Sequence, residues 1–287
     1  MRVIEVFRPN QLIASSVMPM TPSSVAVDGL ISIEQTSSNL HFNTYLFSIT
    51  KHLMENILSE TMRGAIAQIT PHRSNLDEQH FHGGIAFLDR DGVLNVGYST
   101  YVNSPSQVKM LSGAGKSIAT LRRNGWLICI VTNQSPIMRG LWTEQTLHAI
   151  NDELRRQLLV EDPCAHIDVI LACPHRPSDM CACRKPYPGM LSLGSEILRD
   201  GNYDKSNLID GRGVIEVDLN LRDVDWWGSK KLPPHPLDLM LGDRKCDLGS
   251  AWAYGARSFR ANPEIGIAGE ISKMIDEEHE GIDFKPV

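Results

Sequence analysis

From residue 85 onward, short apolar runs alternate with longer amphipathic stretches, and this alternation is the feature that most restricts the fold. Short apolar runs are typical of buried strands, and apolar residues spaced three or four apart are typical of helices. Strands that alternate with helices build a parallel sheet covered on both faces, so we expect an α/β fold. The predicted strands are 85–88, 126–131, 167–172, 237–241 and 257–260, and the predicted helices are 113–124, 143–160, 190–199 and 247–254.

The first 82 of the 287 residues have a different character and are rich in Ser, Thr and Asn. Apolar residues at helical spacing predict one helix over about 43–69. The polar stretch 71–82, which ends at Gly83-Gly84, is typical of a linker. We therefore predict an N-terminal extension of unknown role over 1–82 and a single α/β domain over 83–287.

Composition narrows the class of protein. A hydrophobic content of 42% and a charged content of 22% are ordinary for a globular protein. The formal net charge of -6 gives no reason to expect a nucleic-acid partner. The sequence has no apolar run long enough for a membrane span and no secretory signal pattern. We expect a cytoplasmic protein that binds neither nucleic acid nor membrane.

Candidate catalytic residues follow the predicted strands, where parallel sheets bind ligands. Asp89 and Asp91 leave the first strand, and Gly92 permits a turn there. Asp89 still belongs to the rigid strand and suits a nucleophile, whereas Asp91 suits an acid that later acts as a base. The alternative is a polar loop closed by an Asx-turn.

Three further signals follow later strands. The sequence Thr-Asn-Gln-Ser at 132–135 offers a hydroxyl and backbone N–H groups for phosphoryl oxygens, with a helix N-cap as the alternative. Lys185 offers a cation, with an ordinary surface lysine as the alternative. Asp243 and Asp247 suit Mg²⁺, with capping of the following helix as the alternative.

Taken in chain order, these signals resemble the four motifs of the haloacid dehalogenase (HAD) superfamily. The resemblance implies a phosphatase with a parallel Rossmann-like sheet and a minimal cap. It also implies that Asp89 attacks phosphorus, Asp91 is the acid and base, and Thr132 and Lys185 hold the phosphoryl group. The implied Mg²⁺ ligands are Asp89, Asp91 and Asp243.

A cluster of cysteine and histidine lies in the loop 173–183. Its spacing supplies four ligands for a closed tetrahedral Zn²⁺ site, which would be structural rather than catalytic. A chance group of buried thiols is the alternative. Zinc would fix the loop that carries Lys185. The predicted ligands are Cys173, His175, Cys181 and Cys183.

A zinc loop followed by Arg-Lys-Pro resembles one HAD subgroup, the D,D-heptose 1,7-bisphosphate phosphatases and the histidinol-phosphate phosphatases. Residues 132–140 and 184–191 are similar to the heptose enzymes' T-N-Q-S-G-I-A-R-G and R-K-P-x-P-G-M-L. The Gly-Asp-Arg at 242–244 is also found in histidinol-phosphate phosphatases. The resemblance favours a phosphorylated sugar as substrate. Histidinol phosphate, a nucleic-acid 3′-phosphate and a non-enzymatic scaffold remain alternatives.

The subgroup resemblance implies several substrate contacts. Three arginines would bind the phosphate that does not react, or hydroxyl groups of the sugar. Departures from the pattern are Pro136 in place of glycine and an insertion over about 200–236. The insertion predicts a β-hairpin or edge ribbon with an aromatic patch, which would serve as a lid, as a dimer contact or as neither. The predicted substrate contacts are Asn95, Tyr101, Asn133, Gln134, Ser135, Arg139, Arg184 and Arg244.

Overall fold

The structure, a computed structural model, describes residues 64–70, 81–179, 181–201 and 203–285. Eight strands form one sheet there, in the order β5-β6-β1-β4-β3-β2-β7-β8. The helices found in these ranges include none that is long and apolar enough to cross a bilayer. The strands are β1 (Ala65–Ile69), β2 (Ile85–Leu88), β3 (Leu127–Asn133), β4 (Val169–Cys173), β5 (Leu208–Ile209), β6 (Arg212–Ile215), β7 (Leu239–Gly242) and β8 (Arg257–Arg260).

Five helices are described. The second helix lies between β3 and β4, and the fourth helix starts shortly after β7. Only a short 3-10 turn, Pro105–Gln107, lies in the segment between β2 and the first helix, as the expected minimal cap requires. The helices are α1 (Ala114–Arg123), α2 (Glu144–Glu161), α3 (Gly189–Ser195), α4 (Lys245–Tyr254) and α5 (Ile271–Met274).

The half of the sheet formed by β4, β3, β2, β7 and β8 is parallel throughout. Its side chains alternate between two faces. Ala86 and Leu88 pack with residues of α1 and α2, whereas Ile85 and Phe87 pack with residues of α3 and α4. Because both faces are covered, these strands are continuous apolar runs. The five strands and four helices predicted from the sequence are confirmed, with ends shifted by a few residues.

The other half of the sheet is antiparallel, and two of its three strands belong to the hairpin that the insertion predicts. The sheet as a whole is therefore mixed, with the five predicted strands all parallel. β1 lies between β4 and β6 and is antiparallel to both. The predicted helix over 43–69 is therefore wrong at Ala65–Ile69, and the sheet includes a strand that lies before the predicted boundary at residue 83. Five mostly apolar residues fit a helix or a buried strand equally well. Residues 43–63 and 71–80 lie outside the described ranges.

The insertion contains the expected hairpin. Strands β5 and β6 pair Leu208 with Gly213 and Ile209 with Arg212. The two turn residues, Asp210 and Gly211, have φ of 50° and 74°. Positive φ at both central positions is typical of a type I′ turn, whose twist matches the paired strands. The chain leaves the sheet after Ile215 and forms a 3-10 turn at Leu219–Arg222.

Candidate active site

The predicted catalytic residues meet at the carboxyl ends of the parallel strands. Asp89 follows β2, Thr132 is the penultimate residue of β3, and Lys185 lies in the loop after β4. These three residues and Asp91 line a crevice of about 120 Å³, called here the active-site crevice. The sheet therefore places side chains from separate motifs around one small volume.

The ammonium group of Lys185 is buried between two carboxylates. Its Nζ lies 3.0 Å from Asp89 Oδ1 and 2.6 Å from Asp247 Oδ1, and it donates to the Val131 carbonyl oxygen at 2.7 Å. Burial alone would lower the pKa of Lys185, but Asp247 and Asp89 outweigh burial and hold that pKa above its usual range. Lys185 therefore remains a cation.

The carboxylate of Asp89 is buried beside this cation. Burial raises the pKa of Asp89 to about 7, an effect that Lys185 only partly offsets and that Asp247 increases. The backbone N–H of Arg90 donates to Asp89 Oδ1 at 2.8 Å. More positive charge near Asp89 would favour the ionised form, which is the form that acts as a nucleophile.

Three carboxylates at the crevice form a cluster that can hold a cation. Oxygens of Asp89, Asp243 and Asp247, the carboxylate cluster, lie within 4.8 Å of one another. Asp243 Oδ1 is buried and has no hydrogen-bond partner. Three carboxylates exceed the two cations beside them, the Lys185 ammonium group and the Arg244 guanidinium at 3.8 Å from Asp243 Oδ2. Oxygen ligands are those that Mg²⁺ prefers. The cluster therefore suits a hard divalent cation.

The carboxylate cluster includes Asp247, which the sequence also favoured for Mg²⁺, whereas the side chain of Asp91 lies outside it. Asp247 lies in the first turn of α4, and its Oδ2 accepts from the backbone N–H of Arg244 at 2.9 Å. Gly242 allows this approach, because a Cβ there would lie 2.1 Å from the Cβ of Asp247. The glycine before Asp243 is thus required by the packing of strand against helix.

The carboxylate of Asp91 is held apart from that cluster by four donated bonds. Arg90 donates to it from Nε at 3.2 Å and from Nη2 at 3.0 Å. The side-chain amides of Asn95 and Gln134 donate at 2.9 and 3.0 Å. Burial would raise the pKa of Asp91, but Arg90 and these bonds outweigh burial and lower that pKa. The orientation of Asp91 is therefore fixed.

Three amides predicted to contact substrate also bond to the predicted catalytic residues, and Asn133 lines the active-site crevice as well. Asn95 and Gln134 hold Asp91, and Gln134 also donates to Thr132 Oγ1 at 2.9 Å. Asn133 accepts from the backbone N–H of Lys185 and donates to its carbonyl oxygen, both at 3.1 Å. These bonds hold the side chains of the predicted catalytic residues in place.

The remaining predicted substrate contacts are divided. Tyr101 and Arg244 line the active-site crevice, and the hydroxyl of Tyr101 lies 3.4 Å from Ser135 Oγ. Arg184 points elsewhere, since its Nη1 donates to the His175 carbonyl oxygen at 2.8 Å. Arg139 is exposed and lies outside the crevice lining. Of the three arginines, Arg244 is the one beside the reacting groups.

The four cysteine and histidine ligands also meet, at the end of β4. Cys183 Sγ lies 3.3 Å from Cys173 Sγ, 3.4 Å from Cys181 Sγ and 3.4 Å from His175 Nδ1. Cys173 Sγ lies 3.5 Å from the other two ligand atoms. Tetrahedral Zn²⁺ needs four such donors at about these separations. This thiol–imidazole cluster is mostly buried and does not line the crevice.

One residue of the site carried no separate prediction. Arg90 is only 1% exposed, and its guanidinium pairs with Asp91. A buried guanidinium needs partners for most of its donors. The available signal was an arginine between two aspartates at the end of a strand.

Comparison with known proteins identifies the family. No protein-family model matches the chain. It is 41% identical over 140 residues to D-glycero-beta-D-manno-heptose-1,7-bisphosphate 7-phosphatase of Bordetella bronchiseptica, covering 49% of this chain and 72% of that protein. It is 34% identical over 151 residues to a probable D-glycero-D-manno-heptose-1,7-bisphosphate 7-phosphatase of Thermoplasma volcanium, covering 51% and 93%.

A solved structure supports the fold. The crystal structure of a putative HAD-like phosphatase from Mesorhizobium loti aligns over 78% of this chain and 97% of that chain, with a TM-score of 0.51 and 22% identity. This likeness confirms the predicted fold. From the sequence relatives, the chain belongs to the family of D-glycero-D-manno-heptose-1,7-bisphosphate 7-phosphatases.

Proposed function

We propose that this protein hydrolyses the 7-phosphate of a heptose 1,7-bisphosphate in the cytoplasm, with Asp89 as nucleophile. The observation that carries the proposal is the placement of Lys185 Nζ between Asp89 and Asp247 at the active-site crevice. A cation fixed beside a buried carboxylate reduces its repulsion of a phosphate dianion. The names of the relatives supply the substrate.

In the first step, an Asp89 oxygen attacks phosphorus, and the bond from phosphorus to the sugar oxygen breaks. The products are an aspartyl phosphate and the sugar, whose oxygen receives a proton from Asp91. Lys185 and Thr132 offset charge on the phosphoryl oxygens. The pKa of Asp91 is lowered in the free protein, and the arriving phosphate dianion raises it toward the value that an acid needs.

In the second step, water attacks the phosphorus of the aspartyl phosphate, and Asp91 accepts its proton. The bond from phosphorus to Asp89 breaks, so that inorganic phosphate leaves and the carboxylate is restored. The four bonds donated to Asp91 hold it in one orientation for both steps. One carboxyl group can thus act as acid and then as base.

Two metal ions complete the proposal. The carboxylate cluster would hold Mg²⁺, and the buried, unpartnered Asp243 Oδ1 supports this fit. When bound, Mg²⁺ neutralises charge on the transferring phosphoryl group. The thiol–imidazole cluster would hold Zn²⁺. Cys183 is two residues before Lys185, so an ion there would restrain the loop that carries the ammonium group.

The substrate assignment is tested by steady-state kinetics. We expect kcat/KM for heptose 1,7-bisphosphate to exceed that for histidinol phosphate by at least about a hundredfold, since a bisphosphate offers a second dianion to Arg244. Arg244→Ala should raise KM for the bisphosphate more than for a monophosphate, with the exposed Arg139→Ala as a matched control. Equal or faster turnover of histidinol phosphate would refute the heptose assignment.

A further inference from the structure

A chain of buried hydrogen bonds leads away from Asp91, beyond the active-site crevice. Arg90 uses Nε and Nη2 for Asp91, and its Nη1 donates to Asn151 Oδ1 at 3.2 Å. Asn151 belongs to α2, and both Arg90 and Asn151 are 1% exposed. The guanidinium is planar, so the partner of Nη1 helps to fix the plane that faces Asp91.

The chain continues into β1. Asn151 Nδ2 donates to Gln68 Oε1 at 3.2 Å, and Gln68 Nε2 donates to Asp152 Oδ1 at 2.6 Å. Gln68 is 2% exposed and lies in the strand that the sequence analysis placed outside the catalytic domain. His148 Nδ1 also lies 3.3 Å from Gln68 Oε1. Gln68 therefore has bonding partners for both ends of its amide.

The chemistry of these groups fixes the direction of every bond. An ionised carboxylate such as Asp152 can only accept, so the NH₂ of Gln68 faces it and the oxygen of Gln68 faces Asn151. That oxygen in turn requires the NH₂ of Asn151, which leaves the Asn151 oxygen for Arg90. Asp152 is also anchored by Arg212 of β6 at 2.9 Å.

We propose that Gln68 is a positioning residue for the acid and base Asp91, acting through Asn151 and Arg90. This inference rests on the proposed function, in which Asp91 protonates the leaving oxygen. Without the acceptor on β1, the buried NH₂ of Asn151 loses its partner, so the amide is no longer held where its oxygen meets Arg90. The guanidinium then loses a partner, and Asp91 loses its fixed orientation.

The test compares two esters, because a general acid matters most for a poor leaving group. In Gln68→Leu, kcat for heptose 1,7-bisphosphate should fall about tenfold with KM unchanged, as for other losses of supporting hydrogen bonds. Hydrolysis of p-nitrophenyl phosphate, whose leaving group needs little protonation, should change much less. The readout is therefore the kcat for heptose 1,7-bisphosphate divided by the kcat for p-nitrophenyl phosphate, and this ratio should fall.

The matched control is Ile66→Ala. Ile66 lies two residues before Gln68 on the same strand and packs on Leu147 of α2, outside the hydrogen-bond chain. This variant should lower Tm and leave the ratio of kcat values unchanged. If Ile66→Ala shifts the ratio as much as Gln68→Leu does, the effect is one of packing and the inference is wrong.

A second pair of variants keeps the test decisive if Gln68→Leu does not fold. Asp152 is partly exposed, so Asp152→Leu should fold and lower the ratio severalfold, whereas Asp152→Asn, which keeps an acceptor oxygen, should restore it. Asp91→Asn reports on the proposed function separately. If Asp91→Asn lowers the ratio and neither Gln68→Leu nor Asp152→Leu does, Gln68 has no positioning role while the acid assignment stands. If Asp91→Asn leaves the ratio unchanged, both fall.

Discussion

Two clusters at the carboxyl ends of the parallel strands have opposite characters. The carboxylate cluster borders the active-site crevice, carries excess negative charge and includes an oxygen without a partner. The thiol–imidazole cluster is mostly buried, and its four ligand atoms contact one another. Hard oxygen ligands with an open side suit catalysis, and a closed set of soft ligands suits structural support. At the carboxyl ends of these strands, the two clusters thus differ in ligand type and in access to the crevice, which suits one to reaction and the other to support.

The two clusters meet at Lys185. Cys183, a member of the thiol–imidazole cluster, lies two residues before it, and Asn133 holds its backbone from the side of β3. The ammonium group itself contacts two members of the carboxylate cluster, Asp89 and Asp247. Variants in the carboxylate cluster, called here the open cluster, should therefore lower the rate of reaction. Variants in the thiol–imidazole cluster, called here the closed cluster, should lower stability first.

The largest effect is expected from Asp89→Asn, which removes the nucleophile and keeps its shape. Turnover should fall by about 10⁴-fold or more, as when a covalent nucleophile is lost. The variant should keep its Tm, since a buried carboxylate beside Asp247 is replaced by a neutral amide. Initial rates and thermal melts measure both. Wild-type activity in Asp89→Asn would contradict the assignment.

The next largest effect is expected from Lys185→Met. The loss of one charge donor to the phosphoryl group should lower kcat about 10²–10³-fold. Tm should fall as well, because Asp89 and Asp247 lose their shared cation. Adding Asp247→Asn should recover Tm without recovering kcat.

The exposed Lys116 of α1 provides the control for that change. Lys116→Met should leave kcat and Tm near their wild-type values. If Lys116→Met loses as much kcat and Tm as Lys185→Met does, the effect of Lys185→Met does not come from its contacts with the carboxylate cluster.

A smaller loss of activity is expected from Cys183→Ser in the closed cluster. Bound zinc, measured by elemental analysis, should be lost, and Tm should fall because the cluster no longer closes. The fall in kcat should be about tenfold, since the Lys185 loop is loosened while all reacting groups remain. Cys164→Ser, at an exposed cysteine, is the control. Native protein that contains no zinc would contradict the assignment of the closed cluster.

The smallest effect concerns pH and Mg²⁺. Burial raises the pKa of Asp89 from 3.8 to about 7, so the native state binds this proton more tightly than the unfolded state. The contribution of Asp89 to the free energy of unfolding therefore falls as pH rises from about 4 to about 7. Mg²⁺ requires the ionised carboxylate, so it should raise Tm by several degrees near pH 7.5 and little near pH 5. Asp89→Asn should remove this pH dependence, and an equal rise at both pH values in wild type would contradict it.

Much of this site follows from the sequence because strand ends converge by geometry. Each parallel strand was a short apolar run, and the polar residue after it had to lie at one edge of the sheet. Asp89, Asp91, Thr132 and Lys185 meet in one crevice as predicted. The four cysteine and histidine ligands also meet, since their spacing confines them to one loop.

What the sequence did not indicate depends on contacts between distant segments. The close packing of α4 against β7 at Gly242 brings Asp247 to the carboxylate cluster, and no local pattern encodes that packing. The motifs of Asn95 and Asn133 predicted substrate contacts and did not indicate the bonds that their amides make to Asp91 and Lys185. Gln68 gave no signal, because its strand was read as part of a helix.

Asp247 performs two tasks with its two oxygens. One binds the ammonium group of Lys185, and the other accepts from the backbone N–H of Arg244 where α4 begins. Helix ends fray before helices melt. On heating, the loosening of this helical turn would take one of three partners from the Lys185 ammonium group, which keeps Asp89 and the Val131 carbonyl oxygen, while the sheet remains folded. Activity should therefore begin to fall a few degrees below the temperature at which the sheet unfolds, and it should return on cooling.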